Sequence, residues 1–348
     1  RRRRGARLRP LMTHPPLSED RAWCEATLPR VSRTFVLNIR LLAGPLREAV
    51  SAGYLLCRTA DTLEDAWPGS AEEIRARFGL LRDALAGDEG AAAALAAAAA
   101  RGGGELELVA GLPRSWRVWR ALPGPDRERI AECLRTMVPG MCRYAARAAE
   151  RAPGTPYLDS EAELHDYCWV VAGCVGVMLT RLSEADAGRD GPALGRRLEL
   201  APVVGEALQL TNILLDWPED VRQGRCHVPA DWLAAEDLAP ARLVGPAHPG
   251  VDRLARRLED MARAALTRVP DYLDLVPPRA LRYRLFVLMP ALWALASLEH
   301  ARTDPEFPRG RRPRLPRGRL WREAAGALFG HRGAALRRLR AAAPRPGA

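Results

Sequence analysis

The chain has 348 residues, of which 48% are hydrophobic, so it can bury a substantial core and is neither disordered nor fibrous. Its formal net charge is +11, and all 53 basic residues are arginine. The charge lies at the two ends: residues 1–10 carry +6 and residues 301–348 carry +10, whereas residues 11–300 carry −5. Because the body of the chain is mildly acidic, the net charge gives little support to a nucleic-acid-binding function.

The N-terminal segment, residues 1–17, is predicted to be an Arg-rich extension. It has no apolar run behind its arginines, unlike a secretory signal. A pattern typical of a helix start follows Met12, so we expect translation to begin there. The seven cysteines form no Cys-x-x-Cys or paired Cys/His pattern, which argues against a zinc module and a disulfide framework and fits a reducing cytoplasm.

Helical periodicity dominates the chain between the two ends, and alternating β-like patterns are nearly absent. Start signals occur at Ser18, and the pairs Ser70/Glu73 and Ser160/Glu163 are capping boxes. We therefore predict an all-α body. The predicted helices lie near residues 18–28, 32–42, 45–66, 70–86, 105–121, 125–150, 160–185, 193–222, 251–274 and 278–301.

Two segments fall outside this helical pattern. Residues 87–104 are Gly/Ala-rich and are predicted to form a loop. Residues 301–318 contain four prolines and are predicted to be an extended linker. Beyond the linker we predict a basic amphipathic helix of the kind that lies on a membrane; the alternatives are a tail packed on the body or a disordered one. Its apolar side consists of Leu320, Trp321, Leu328, Phe329, Leu336 and Leu339.

Membrane-spanning segments are not expected, because no run of about 18 uninterrupted apolar residues occurs. We expect a soluble cytoplasmic protein or one that binds the inner face of the membrane peripherally.

The first chemically informative segment runs from Tyr54 to Asp65. Steps of four, three and four residues place Tyr54, Arg58, Asp61 and Asp65 on one helical stripe. Carboxylates four residues apart repel each other and lower helix stability unless a cation lies between them. The pattern therefore indicates a function.

The second informative segment repeats the pattern Asp-x-x-Glu-Asp. Gln209, Asn212, Asp216 and Asp220 again share one stripe. A single acidic pattern of this kind is usually a solvated helix face, but each copy here follows apolar turns, which favours a buried helix and a site. Mg²⁺ prefers oxygen ligands and is commonly held by one or two carboxylates plus substrate phosphates. Arg33, Arg58 and Arg225 lie near the two motifs and are suited to bidentate contacts with the same phosphates.

Four segments that occur in this order along the chain can be compared with known family motifs: Ser32–Phe35, Tyr54–Asp65, Tyr167–Gly176 and Gln209–Pro229. With these, the chain resembles the squalene/phytoene synthase family, the head-to-head trans-prenyltransferases of the isoprenoid-synthase fold. The resemblance covers roughly residues 18–300, the predicted catalytic domain. It implies an antiparallel helical bundle with a central active-site cavity and the two acidic motifs facing each other at its mouth.

The resemblance also implies roles for individual residues. In this family, Mg²⁺ and arginines draw off the diphosphate of one prenyl donor, and the carbocation that remains is attacked by a second prenyl diphosphate. Tyr54 and Tyr167 match tyrosines that steer the cation, and Phe35 is a candidate for the cavity lining; either tyrosine could instead be an ordinary core aromatic. Arg33 and Arg58 match diphosphate-binding arginines. The implied metal ligands are Asp61, Glu64, Asp65, Asn212, Asp216 and Asp220.

The product is predicted from two further features. Asp61 is followed by Thr62, and residues 282–294 contain a proline; both are more typical of bacterial squalene synthases than of phytoene synthases. This implies farnesyl diphosphate as substrate and NADPH as reductant. A phytoene, dehydrosqualene or presqualene diphosphate synthase remains open. The alternative from another class is a non-catalytic Arg-rich protein that binds nucleic acid or lipid, although the sequence offers no base-reading module, so we expect no nucleic-acid partner.

Three departures from the family pattern stand close to the second motif. Leu215 replaces an arginine next to Asp216, which removes a phosphate or cofactor contact. Pro218 deletes a backbone hydrogen bond and is expected to kink or end the helix. His227 replaces an aromatic residue. None alters a metal carboxylate, so we expect the condensation step to be retained and regard the reductive step as a separate question.

Overall fold

The computed structural model describes residues 15–32, 35–152, 154–187 and 192–344. Most of the predicted N-terminal extension, Met12 and the candidate diphosphate ligand Arg33 lie outside these ranges. Within them the chain is helical and contains no β-strand, which confirms the predicted all-α class. The fold is the helical bundle expected from the family resemblance.

Seventeen α-helices make up the part of the chain that the structure describes. In chain order, α1 to α17 are Leu17–Val31, Phe35–Ile39, Gly44–Asp65, Ala71–Leu85, Glu89–Ala100, Glu107–Ala110, Leu112–Arg120, Gly124–Glu150, Glu161–Cys168, Cys174–Ala187, Pro192–Arg222, Ala230–Ala235, Pro249–Leu266, Val269–Asp274, Leu281–Ala301, Arg317–Gly330 and Ala334–Arg340. A π-helical stretch, Trp169–Gly173, joins α9 to α10.

The predicted helix starts are partly confirmed. Ser70 caps α4 in a complete capping box with Glu73. Ser160 caps α9, but the Glu163 side chain accepts a hydrogen bond from the backbone of Asp159 instead of closing the box. Helix α1 begins at Leu17 without a side-chain cap, so the start signal at Ser18 was misplaced by one residue.

The loop predicted over residues 87–104 is wrong for most of its length, because Glu89–Ala100 forms α5. Asp88 caps this helix by accepting a hydrogen bond from the backbone N–H of Ala91. Ala92, Leu95 and Ala99 are fully buried in the core. Alanine is the strongest helix former, and its small side chain allows neighbouring helices to approach closely. The Gly/Ala-rich composition was interpreted as a loop because it shows no helical periodicity.

Helix α11 carries the second acidic motif and does not end at Pro218; it continues to Arg222. A proline removes one backbone hydrogen bond, which is a small part of what holds a helix of 31 residues. The adjacent Trp217 is buried, and its indole donates to the Leu243 carbonyl at 3.1 Å, which anchors this turn.

The two motif-bearing helices, α3 and α11, are both embedded in the bundle. Leu56 and Ala60 on α3, and Leu210 and Leu214 on α11, are buried directly before the acidic residues. The acidic stripes therefore project from buried helices, as the apolar turns in the sequence predicted.

Helix α11 approaches α10 closely at Gly176 and the π-helical stretch closely at Gly205. A Cβ atom on Gly176 would lie 2.3 Å from the Ala201 carbonyl oxygen, and one on Gly205 would lie 2.3 Å from that of Ala172. These are backbone atoms, which cannot rotate away as a flexible side chain can. Glycine at these two positions therefore permits the close packing.

The C-terminal segment packs onto the body. Residues 302–316, which we call the C-terminal strap, contain no helix within the described ranges and lead into α16. Helix α16 contacts α15, and α17 contacts α14 and α15, so the predicted single amphipathic helix is in fact two helices that pack on the bundle.

Helix α16 exposes large apolar side chains and buries a carboxylate. Its inner face buries the carboxylate of Glu323, which pairs with Arg338 on α17. Trp321 and Phe329, on its outer face, are 71% and 86% exposed, and Leu328 is also exposed. Large apolar side chains exposed together on one helix face are an unusual surface for solvent.

Three helical segments are long and apolar enough to cross a membrane by length and composition alone: Glu161–Glu184, Ala193–Arg222 and Leu281–Ala301. The sequence prediction required an uninterrupted apolar run and did not identify them. All three are components of the bundle, and their apolar side chains contribute to its core.

Candidate active site

A cavity of about 380 Å³ opens between the C-terminal end of α3 and the C-terminal half of α11. It brings together nine of the predicted site residues, although the two motifs lie about 150 residues apart in the sequence. These nine are Arg58, Asp61, Glu64, Asp65, Tyr167, Asn212, Asp216, Asp220 and Arg225.

Arg225 connects the two acidic motifs directly. Its Nη1 donates to Asp65 Oδ1 at 3.1 Å, and its Nη2 donates to Asp220 Oδ1 at 2.8 Å. The backbone helps to place it, because the N–H of Arg225 donates to the Asp220 carbonyl at 2.8 Å just after α11 ends at Arg222. One guanidinium therefore fixes the separation of the two motifs.

The first motif holds carboxyl groups that burial makes difficult to ionise. Burial raises the pKa of Asp61 to about 6, with Asp65 adding to the shift, while the Arg58 guanidinium 3.4 Å away opposes it. Burial, with the charges of Asp65 and Asp61, also raises the pKa of Glu64 well above its usual range. Crowded carboxylates of this kind are suited to a multivalent cation.

The second motif contains carboxyl groups in two different environments. Burial raises the pKa of Asp216 to about 6, against the opposing charge of Arg312. Burial also works against ionisation of Asp220, but the neighbouring His227 and Arg225 outweigh it and lower the pKa of that carboxyl. Asp220 is thus partnered within the protein, whereas Asp216 is less fully compensated.

The donor set fits Mg²⁺ bound together with a phosphate-bearing ligand. The side chains that line the cavity offer carboxylate and amide oxygens, and the buried Oδ1 of Asp216 is paired with the Arg312 guanidinium. Among the described residues, no three Asp, Glu, His or Cys side chains converge tightly enough to enclose a metal by themselves. Mg²⁺ commonly retains several waters and is completed by substrate phosphates, so such an open arrangement suits it.

Tyr167 stands beside the first motif. Its hydroxyl lies 3.5 Å from Glu64 Oε1, and burial and the neighbouring carboxylates raise its pKa well above the usual range, so the phenol stays protonated. The His227 ring packs against both Tyr167 and Tyr157, with centroids 5.2 and 5.1 Å away. The departure at His227 therefore preserves the aromatic packing and adds a partner for Asp220.

Tyr54 and Phe35 do not line this cavity. Their rings stack at 5.0 Å, and Phe35 also contacts Phe286 edge to face at 5.7 Å. Both are partly buried and pack against the core. Tyr54 and Phe35 thus belong to an aromatic cluster that is separate from the carboxylates. Tyr54 lies on the same face of α3 as Asp61, closer to the N-terminus of the helix.

Arg312, on the C-terminal strap, was missed by the sequence analysis. Its guanidinium lies in the cavity, with Nη1 2.5 Å from Asp216 Oδ1. Nothing in the sequence distinguishes it from Arg311 or Arg314, because it belongs to neither motif and stands among many arginines.

The comparisons with known proteins agree with the geometry. The family model for squalene/phytoene synthase matches residues 28–319, and so extends into the C-terminal strap. The chain is 27% identical to human squalene synthase over 290 residues, 83% of this chain and 65% of the relative. It is 31% identical to squalene synthase BSS of Botryococcus braunii over 208 residues, 60% of this chain and 42% of the relative.

A 15-cis-phytoene synthase from Paracoccus is 30% identical over 258 residues, 71% of this chain and 72% of that protein. The chain thus spans between two fifths and two thirds of the length of the squalene synthases that it matches.

Solved structures show the same fold. TcSQS with a bound ligand superposes with a TM-score of 0.76 at 22% identity, covering 92% of this chain and 89% of that one. A dehydrosqualene synthase superposes with a TM-score of 0.66 at 21% identity, covering 90% and 96%. The chain belongs to the squalene/phytoene synthase family, whose members are prenyltransferases.

Proposed function

We propose that the protein is a Mg²⁺-dependent prenyltransferase that condenses two farnesyl diphosphates head to head, through presqualene diphosphate, and reduces the product to squalene with NADPH. The observation that carries the proposal is the pair of facing acidic stripes, joined by Arg225 at the mouth of a cavity in a helical bundle. Family membership supports the reaction class, and the named squalene synthase relatives favour squalene.

The charge on the leaving diphosphate would be stabilised by fixed cations at the mouth. Arg58 and Arg225 line the cavity and are held by carboxylates of the first and second motifs, so they need no reorganisation as charge develops. Mg²⁺, when bound by Asp61, Glu64, Asp65, Asn212, Asp216 and Asp220 together with the substrate, would supply further electrophilic stabilisation.

The carbocation left by that departure requires a dry environment with π faces. Tyr167 borders the cavity, and Tyr54, one helical turn before Arg58 on α3, leads to the cluster with Phe35 and Phe286. We propose that the prenyl chains extend from the mouth towards this cluster, where the aromatic rings exclude water and face the cation.

The product assay tests this function. With farnesyl diphosphate and Mg²⁺, we expect squalene only when NADPH is present, since the second ionisation must end in hydride capture. Presqualene diphosphate that accumulates with NADPH present would show that a partner completes the reaction and would contradict the reductive step. Absence of any condensed product would contradict the proposed activity as a whole.

A second candidate is favoured by the Paracoccus 15-cis-phytoene synthase relative. Under it, the enzyme would form a desaturated product without a reductant. Dehydrosqualene formed with or without NADPH, or a preference for geranylgeranyl diphosphate, would select this candidate over the first.

We also propose that the protein binds membranes peripherally through the outer face of α16. Trp321, Leu328 and Phe329 are exposed on this face, and Arg317 and Arg322 flank them without an ion pair in the described part of the chain. Anionic headgroups contribute about 1 kcal/mol per nearby arginine, and burying each aromatic ring contributes about 1.5–3 kcal/mol.

We expect the full chain to co-sediment with vesicles containing phosphatidylglycerol, and a Trp321→Ala/Phe329→Ala variant to bind at least roughly tenfold more weakly. Leu37→Ala, at an exposed apolar residue on α2, serves as a matched control and should bind normally. Equal sedimentation of the double variant and the wild type would refute a membrane contact at this face.

A further inference from the structure

A second polar cavity, of about 460 Å³, lies between α13, α15 and α17 and shares no lining residue with the acidic cavity. In the described part of the chain, four arginines and three carboxylates line it. We call this cavity the arginine pocket, and its arginines are Arg256, Arg263, Arg302 and Arg338.

Two of the three carboxylates in the arginine pocket are already neutralised. Glu299 accepts a hydrogen bond from Arg338 Nη2 at 2.8 Å and forms a second ion pair with Arg319. Glu259 Oε1 lies 2.6 Å from Arg263 Nε. These carboxylates therefore have little charge left to attract a cation into the pocket.

Two of the arginines lack a close partner. Arg302 Nη1 lies 3.7 Å from the same Glu259 oxygen that Arg263 holds, which is too far for a hydrogen bond. Arg256 is exposed and forms no ion pair or hydrogen bond with the residues that the structure describes. One carboxylate thus serves two guanidinium groups, a third guanidinium has none, and only the exposed Asp260 offsets the excess positive charge.

Arg263 also has hydrogen-bond donors that the protein does not use. The residue is buried, with 9% exposure, and its Nε donates to Glu259. Its two Nη groups carry four further N–H donors, for which the described residues provide no acceptor. Because a buried donor without an acceptor is costly, these groups require water or an anion in the pocket.

The arrangement of the guanidinium groups suits phosphate oxygens. Since Arg263 and Arg302 both approach one oxygen of Glu259, a single phosphate can bridge them with N–H···O bonds of about 2.9 Å to different oxygens. Arg256 lies seven residues before Arg263, two turns and about 10 Å along the same face of α13. A second phosphate of a diphosphate would point towards it.

We propose that the arginine pocket is an anion site that binds a phosphate-bearing molecule, with one phosphate between Arg263 and Arg302 and further oxygens at Arg256. The site is separate from the acidic cavity and needs no Mg²⁺, because arginines meet the charge of the phosphate. A soluble diphosphate and the headgroup of an anionic phospholipid share this chemistry.

Calorimetric titration of the full chain with inorganic pyrophosphate, in buffer containing EDTA, tests the site. The acidic cavity is lined by six carboxylates and three arginines in the part of the chain that the structure describes, so without Mg²⁺ it should repel the probe. For the Arg256→Gln/Arg302→Gln variant we expect the Kd for pyrophosphate to rise about tenfold or more, since hydrogen bonds to a charged group are lost.

The matched control removes the same charge outside the pocket. Arg253 and Arg268 are exposed and pair with Glu236 and Asp271. The Arg253→Gln/Arg268→Gln variant should bind pyrophosphate as the wild type does. An equal loss of affinity in both double variants would reduce the effect to overall charge and overturn the site.

A parallel titration with dihexanoyl-phosphatidylglycerol, below its critical micelle concentration, distinguishes the two sources of phosphate. Tighter binding of this lipid than of pyrophosphate, weakened by Arg256→Gln/Arg302→Gln, would assign the pocket to a lipid headgroup, and the reverse order would assign it to a soluble diphosphate. Failure of the wild type to bind either probe, or unchanged binding of both by this variant, would overturn the proposal.

Both substituted arginines of the pocket variant are exposed, so its thermal midpoint should equal that of the wild type. If the midpoint falls, Arg256→Gln is titrated alone, because its side chain has no partner in the described part of the chain to lose. We expect its Kd for the bound probe to rise about threefold or more. An unchanged Kd for this single variant would also overturn the site.

Discussion

Replacement of Asp61 or Asp216 by asparagine is expected to abolish turnover of farnesyl diphosphate while leaving the fold intact. Each residue stands at the centre of one acidic stripe, and the two stripes face a common cavity. Asparagine keeps the shape of the side chain but removes the charge that would hold Mg²⁺ beside the leaving diphosphate. Loss of such stabilisation costs about 10²–10³-fold or more in turnover, which a steady-state assay of diphosphate release measures directly.

The control for this prediction is the free energy of unfolding. Asp61→Asn is expected to raise it, whereas most substitutions at buried positions lower it. Burial raises the pKa of Asp61 to about 6, so the folded protein favours the protonated carboxyl; that contribution to stability is present at low pH and is lost as the pH rises through about 6. Without metal, Asp61→Asn should therefore be more stable than the wild type by about 1 kcal/mol at pH 7.5, a figure reduced for partial solvent exposure. The difference should disappear near pH 4.

Two results would count against the metal-site interpretation. Near-wild-type turnover in either variant would refute it, and inactivity accompanied by a lower melting temperature at pH 7.5 would assign the loss to folding. Glu72→Gln, at an exposed carboxylate on α4, is the matched control and should retain full activity.

Introduction of a single methyl group at Gly205 is expected to have the largest effect on stability. The new Cβ of Gly205→Ala would lie 2.3 Å from the Ala172 carbonyl oxygen and 3.0 Å from the Gly173 nitrogen. Since these are backbone atoms of the π-helical stretch, this stretch and α11 must separate. Overpacking of this kind costs about 1–3 kcal/mol or more, and it would also displace Asp216 relative to Tyr167.

Gly195→Ala is the matched control, because Gly195 lies on the same helix and a Cβ there meets nothing within 4 Å. Alanine is favoured over glycine in a helix by up to about 1 kcal/mol, so this variant should be slightly stabilised. Chemical denaturation of the three proteins measures the difference. If both variants shifted by the same amount in the same direction, the close approach of α11 to the π-helical stretch would not be the cause.

The acidic site was predictable because its signal is local. Carboxylates spaced four residues apart on a helix are unfavourable without a cation, and that cost is visible in the sequence wherever the two stripes end up. Arg225 was named because it lies near the second motif in the sequence, and the structure places it between Asp65 and Asp220. The residue spacing did not predict how the two stripes are arranged in space. The family resemblance predicted that they face each other.

The depth of a residue in the cavity was not predictable. Tyr54 shares a stripe with Asp61, but seven residues of helix place it about 10 Å further along the axis. A stripe shows which face of a helix a residue is on but not its position along the helix axis. Tyr54 and Phe35 were therefore grouped with Tyr167, although they lie in a separate cluster. Helix α5 was missed because its alanines carry no periodic contrast between polar and apolar positions.

Arg312 could not be predicted because its role depends on a long-range contact. The strap contains several arginines in similar surroundings, and only the folding of α15 and α16 onto the bundle selects the one that reaches Asp216.

The chain that joins Arg312 to α16 limits how far the two can move apart. Five residue steps lead from Arg312 to Arg317, where α16 begins, and fully extended they span at most about 18 Å. Pro313 and Pro316 stiffen this stretch, because each fixes its own φ. A force that lifts α16 off the bundle beyond the remaining slack must therefore pull Arg312 away from Asp216, so that mechanical load on the C-terminal helices is transmitted to the mouth of the cavity.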